Sequence, residues 1–173
     1  MFQINDVVVY GAVGVCRITG TEEKKIGGET KRYFVLKPKD DGGTTLFVPT
    51  WNEKALGKMR KVMTREDVDA LIDSLPGRAP IWVENEGGRK ETYTKILASG
   101  DQAAVASMLR ALYFHKKERE AQGKRLHMAD ERFMKDAELL LYNEWQYVLN
   151  VDKAGLMDYI YERIEKPVEA AAE

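Results

Sequence analysis

A change of hydrophobic period near Thr50 constrains this chain more than any other feature of its sequence. Up to about Pro49 the apolar residues come in short β-branched runs at residues 6–10, 13–18, 32–36 and 44–48, the composition and alternation of strands. Gly27 and Gly28 in one connection, and Gly42 and Gly43 in another, supply the positive φ that tight hairpins need. Four strands in so short a stretch predict a small barrel, because an open sheet of that size has little to pack against.

Past Thr50 the period lengthens to about 3.6 residues. Thr64 is placed to cap a helix carrying Val68, Leu71, Ile72 and Leu75 on one face, and Pro76, Gly77 and Pro80 end it. A second helix runs through Tyr93, Ile96 and Leu97 to a corner at Ser99, Gly100 and Asp101, where Gly100 suits a left-handed cap and Asp101 caps the next helix. Val105, Met108, Leu109, Leu112 and Tyr113 form the core stripe of a third helix, closed by Gly123. Phe133, Met134, Ala137, Leu140, Leu141 and Val148 mark a fourth. Leu156, Ile160 and Ile164 mark a fifth that ends before Pro167. The fold class is therefore α+β: a small β domain over residues 1–55, an all-α domain of about five helices over 56–167, and a frayed tail over 168–173.

Composition narrows the function. The chain is 44% hydrophobic and 32% charged, ordinary for a folded protein. Its 27 Lys and Arg nearly cancel 28 Asp and Glu, so any contact with nucleic acid must come from a local patch. Cys16 is the only cysteine, which excludes an internal disulfide and any multi-cysteine zinc site and suits a reducing compartment. No stretch approaches the ~18 apolar residues of a membrane span, and no leader precedes the first strand, so the expectation is a cytoplasmic chain without membrane contact.

Enzymatic constellations are thin. His115 and His127 are the only histidines and have no cysteine near them, so they are expected on the surface and no metal is expected. Gly11 and Gly14 lie after a strand but lack the third glycine and helix start of a phosphate cradle. No Ser or Cys sits in a nucleophile-elbow pattern. The acidic pairs Asp40-Asp41 and Asp67/Asp69 fit turn polarity and helix N-terminal charge. The expectation is a non-enzyme without cofactor or small-molecule substrate.

Positive charge does collect in one region. Residues 84–127 carry nine Lys or Arg against six Asp or Glu. Lys116, Lys117, Arg119, Lys124 and Arg125 surround the break at Gly123, while Arg89 and Lys90 open the preceding helix and Lys95 follows on it. They could meet phosphates from two sides, but from charge alone such a run is more often a solvated helix end favoured by the C-terminal dipole. Trp82 lies in a loop, where an aromatic ring is either a helix-packing anchor or a wedge against a partner such as a distorted DNA minor groove. Trp51 and Trp145 read more simply as an inter-domain and a core residue.

Phe2 through Tyr10, Gly14-Val15, Tyr33-Phe34-Val35-Leu36 and Val48-Pro49 together resemble the polymerase-interacting module shared by CarD and CdnL regulators and the transcription-repair coupling factor. The helical half resembles CarD too, most clearly Lys95 through Asp101 followed by Leu109-Arg110-Ala111-Leu112-Tyr113. The resemblance implies a Tudor- or SH3-like barrel that binds the RNA polymerase β subunit through an exposed strand. It also implies a helical domain that touches promoter DNA at the upstream edge of the transcription bubble and stabilises the open complex. On that basis the polymerase contacts fall on Lys24, Thr44, Thr45, Leu46, Phe47, Val48 and Pro49. The DNA contacts fall on Trp82, Arg89, Lys90, Lys95, Lys116, Lys117, Arg119, Lys124 and Arg125. Phe47 stands where relatives commonly have a basic residue, and Glu86 where they commonly have the DNA-contacting Trp, four residues after Trp82. The alternative is a protein-interaction adaptor that docks on polymerase without touching DNA. Salt dependence separates the two, because phosphate contacts release counterions.

Overall fold

The computed structural model describes residues 1–40 and 42–165, so the expected tail and the stop before Pro167 lie outside the described residues. The chain divides into two compact units, Met1–Met63 and Thr64–Glu173.

The first unit is a five-stranded antiparallel sheet. Its strands are β1 (Val7–Tyr10), β2 (Gly14–Ile26), β3 (Glu29–Pro38), β4 (Leu46–Pro49) and β5 (Met59–Lys61), in the spatial order β4-β3-β2-β1-β5. A 3-10 turn at Gly11–Val13 links β1 to β2, and Gly11 and Gly14 take φ of 48° and 93° there, so the glycine pair serves a tight corner. Gly27 and Gly28, at φ 59° and 85°, make the two-residue turn closed by the Ile26/Glu29 pair, as the sequence predicts.

The expected barrel has the right strands but is not closed: β4 and β5 are the two ends of a linear order. What lets so small a sheet bury a core without closure is a register irregularity between Ile18 and Gly20, which bends β2, and a short helix α1 (Glu53–Leu56). Ala55 and Leu56 of α1, with Phe2, pack against buried Val8, Cys16, Ile18, Leu36, Val48 and Met59. β5 carries the first unit on to Met63 by pairing Met59, Arg60 and Lys61 with Tyr10, Val9 and Val8.

The second unit is helical: α2 (Arg65–Ser74), α3 (Glu86–Ser99), α4 (Gln102–Ala121), α5 (Met128–Leu149) and α6 (Lys153–Glu165). Thr64 caps α2 through a reciprocal box with Asp67, its Oγ1 accepting from the Asp67 amide at 3.1 Å. Gly100 takes φ 71° at the end of α3, and Asp101 accepts from the Ala104 amide at 3.1 Å to start α4. α4 and α5 form the central antiparallel pair, α2 and α6 pack on one another and on α5, and α3 packs on both α4 and α5. Buried Val105, Met108, Leu112, Leu141, Trp145 and Leu156 lie in this core. Trp145 Nε1 donates to Gln102 Oε1 at 3.4 Å, so the one polar atom of the ring is satisfied where the ring is buried.

Candidate functional site

Two surfaces carry the expected site residues, one on each unit. On the first unit the alternation of β3 places Lys31, Tyr33 and Val35 on the face away from the buried Leu36. Across the ladder Val35 opposes Phe47 and Tyr33 opposes Pro49, while Lys24 of β2 opposes Lys31. The Lys24 ammonium sits 3.4 Å from the Phe47 ring centroid and 5.8 Å from that of Tyr33. Lys31 lies 4.6 Å from the Trp51 ring, which meets Tyr33 edge-on at 6.5 Å. Phe47 is 39% exposed and Trp51 52%, so this is an open patch of aromatic rings and ammonium groups. Like charges directly opposite each other repel, and Lys24 and Lys31 avoid this by turning to different rings.

Trp51 and Lys31, not expected here from the sequence, thus join Lys24 and Phe47. The signal available in sequence was the two-residue step from Lys31 to Tyr33 and Val35. Of the other residues expected here, Thr44 and Thr45 are exposed just before β4, Leu46 and Pro49 are half-buried, and Val48 is a core residue facing inward.

Among the described residues, β4 has β3 as its only neighbour in the sheet. The Thr50 amide donates to the Arg32 carbonyl at 3.1 Å, which fixes which pairs face each other. In an antiparallel ladder the hydrogen-bonded pairs alternate, so Val48 and Leu46 turn their backbone groups to β3 and Phe47 turns its N–H and C=O to the open edge. Pro49 has no N–H, so Phe47 holds the outward donor of this strand.

Residues 2–63 match the family model of the CarD-like/TRCF RID domain. The first unit is a CarD-like/TRCF RID domain. The RID domain is an RNA polymerase-interacting domain, which makes RNA polymerase the partner of this half of the chain. The helical unit lies beyond the matched residues.

On the helical unit, the centre of the expected DNA surface is Trp82, in the loop between α2 and α3. This loop is unusually well tied. Arg110 Nη1 donates to the Leu75 carbonyl and to that of Arg78 at 2.9 Å, Tyr93 Oη donates to the Ile81 carbonyl at 2.7 Å, and the Ile81 amide donates to Ser107 O at 3.3 Å. Burial pushes the Tyr93 hydroxyl up to about 12, so it stays a donor. Trp82 itself is half-buried, which places it between the two alternatives of core anchor and free wedge. The His115 ring lies 4.1 Å from it, tilted by 32°, and the Arg89 guanidinium 4.4 Å from it. His115, expected merely at the surface, is thus part of the Trp82 packing.

Arg89 is the clearest departure. Expected to meet a phosphate, it is 3% exposed and makes a two-pronged ion pair with Asp130 of α5, Nε to Oδ1 and Nη2 to Oδ2, both at 2.8 Å. Its Nη1 donates to the carbonyls of Val83 at 2.9 Å and Glu84 at 3.3 Å. With four of its five N–H groups engaged in the interior, the guanidinium is not presented to DNA.

The remaining cations separate into engaged and open ones. Lys95 pairs with Glu91 at 2.9 Å, Lys116 approaches Glu120 at 4.0 Å, and Arg119 donates through Nε to the Arg125 carbonyl. Among the described residues, Lys90, Lys117, Lys124 and Arg125 have no ion pair. Lys90 opens onto a groove between α3 and α5 that also holds Arg132 and Asp136. Arg132 belongs to the basic surface but sits outside the 84–127 stretch in which the sequence shows a cation excess.

Proposed function

We propose that this chain is a cytoplasmic transcription regulator that binds the RNA polymerase β subunit through the β4 edge and stabilises the promoter open complex through its helical unit. What carries the reading is the RID domain with an exposed edge strand whose outward donor, on Phe47, lies beside the Lys24, Tyr33 and Trp51 patch. An extended segment of β adds to that edge by main-chain hydrogen bonds and rests its side chains on the aromatic patch.

For the DNA half, support comes from Trp82 held at the surface of a fixed loop, with Lys90, Lys117, Lys124 and Arg125 unpaired among the described residues. The ring meets bases splayed at the upstream edge of the bubble, contacts that closed duplex does not offer, and so shifts the equilibrium toward the open state. The lysines and Arg125 meet phosphates and fix orientation.

A holoenzyme pull-down followed by open-complex lifetimes at several salt concentrations tests both halves. Retention on polymerase, a longer lifetime, and loss of the effect as salt rises are the expected results. The adaptor reading draws its support from the internal pairing of Arg89, Lys95 and Lys116, which removes cations from the patch. Polymerase binding with a lifetime indifferent to the protein at every salt concentration selects the adaptor.

A further inference from the structure

We infer that the buried Arg89–Asp130 pair is the positioning device for Trp82, setting the ring in the pose in which it meets the bubble edge. This inference rests on the reading that Trp82 contacts DNA.

A buried ion pair is a poor device for stability alone, since the desolvation of two charges offsets most of their attraction and a well-packed apolar pair commonly does as well. The geometry shows what this pair adds. Asp130 of α5 accepts from two of the guanidinium's nitrogens, the third reaches the Val83 and Glu84 carbonyls immediately after Trp82, and the guanidinium carbon lies 4.4 Å from the indole centroid. One planar group therefore ties the core of the helical unit to the backbone and the ring of the loop. Lysine has neither the plane nor enough fixed donors to do the same.

The loop needs such a tie where it enters α3. The first turn of α3 is Glu86-Gly87-Gly88, whose two glycines form helix poorly, held by Asn85, whose Oδ1 accepts from the Gly88 amide at 2.8 Å. A Cβ on Gly88 would stand 3.4 Å from a Val83 methyl, so the loop lies close over this turn. Without the Arg89 side-chain bonds to Val83 and Glu84, residues 82–85 keep the Asn85 cap and the Arg89 amide bond to the Asn85 carbonyl but lose their tie to Asp130, and the ring keeps only its packing on His115.

The test compares the full-length chain with Trp82→Ala, Arg89→Lys and the double replacement Arg89→Met/Asp130→Leu, which removes both charges together and leaves no unpaired buried charge. Amide hydrogen exchange at Gly88 and Arg89 reports the loop, thermal melting reports the fold, and open-complex lifetime reports function. The double variant is expected to melt near wild type, to exchange faster at both amides, and to shorten the lifetime by the factor seen for Trp82→Ala, about five-fold to over a hundred-fold for one stacked base. Adding Trp82→Ala to it should shorten the lifetime no further. Wild-type exchange in a folded double variant, or a lifetime loss that adds to that of Trp82→Ala, overturns the positioning role. Should the double variant fail to fold, Arg89→Lys decides by the same two measurements. If Trp82→Ala leaves the lifetime unchanged while the double variant loosens the loop, the DNA role of the ring falls and the tie between Arg89 and the loop stands.

Discussion

The two units display aromatic rings by opposite means. In the RID domain Phe47, Tyr33 and Trp51 stand on an open sheet face, steadied by the half-buried Lys24 and Lys31, next to the strand edge on which Phe47 holds the outward donor. In the helical unit Trp82 is fixed by a guanidinium that is itself buried and bonded on three sides. A surface that binds through its main chain tolerates side-chain replacement. A surface that binds through one ring depends on every group that aims it.

The largest effect that should separate the units is loss of one partner of the buried pair. Asp130→Ala leaves an uncompensated guanidinium and is expected to cost the helical unit ~3–5 kcal/mol. Differential scanning calorimetry should show that transition falling while the RID domain's own transition stays. A common shift of both transitions would mean that the units do not melt independently.

Next is the edge itself. Phe47→Pro removes the outward N–H while leaving the β3-facing groups of Leu46 and Val48 in place, whereas Phe47→Ala keeps the donor and loses the ring. Polymerase binding should fall by at least about five-fold for Pro, as for a lost hydrogen bond of ~1 kcal/mol with its geometry disturbed, and less for Ala. Equal losses would assign recognition to the ring. Thr45→Ala should leave binding unchanged.

A smaller effect separates the cations. Lys117→Ala and Lys124→Ala are each expected to reduce the slope of log affinity for DNA against log salt by about one. Arg89→Lys should leave that slope alone, because Arg89 offers nothing to phosphate.

Alkali sharpens the comparison further. Burial pushes the Cys16 thiol of the RID domain up to about 11 and the Tyr142 hydroxyl of the helical unit up to about 12. Each neutral form is favoured by the fold, so its contribution is complete below the unfolded pKa and is lost as pH rises through the folded value. The RID domain should therefore lose stability about one pH unit before the helical unit. Cys16 reports this directly, since a thiol reagent should label it only as the domain opens. Labelling at neutral pH at the rate of a free thiol would contradict its burial.

The sequence shows those parts of the molecule in which a local rule and a long-range contact agree. Thr64, Gly27-Gly28 and the Gly100-Asp101 corner act within four residues, and each takes the expected conformation. Residues 20–26 of β2 show no alternation because that stretch has no buried face, and β5 buries only Met59 of its three residues. The burial of Arg89 is set by a carboxylate 41 residues away, so charge counting alone assigns it to solvent. Phe47, Trp51 and Lys31 come together through cross-strand register, which no linear motif encodes.

The hairpin that β2 and β3 form beyond the rest of the sheet has one further consequence. Residues 20–26 pair with β3 but not with β1, and residues 29–31 of β3 lie beyond its pairing with β4, so the tip of this arm offers backbone on both sides. Such an arm invites identical copies to stack into aggregates. Its sequence answers with Glu22, Glu23, Lys24 and Lys25 on one strand and Glu29, Lys31 and Arg32 on the other, so a second copy brought alongside in register would bury like charges against like. Solubility is thus written into the same arm whose Lys24 and Lys31 prop the aromatic patch. Neutralising those charges should make the chain precipitate at concentrations where the native protein stays dispersed.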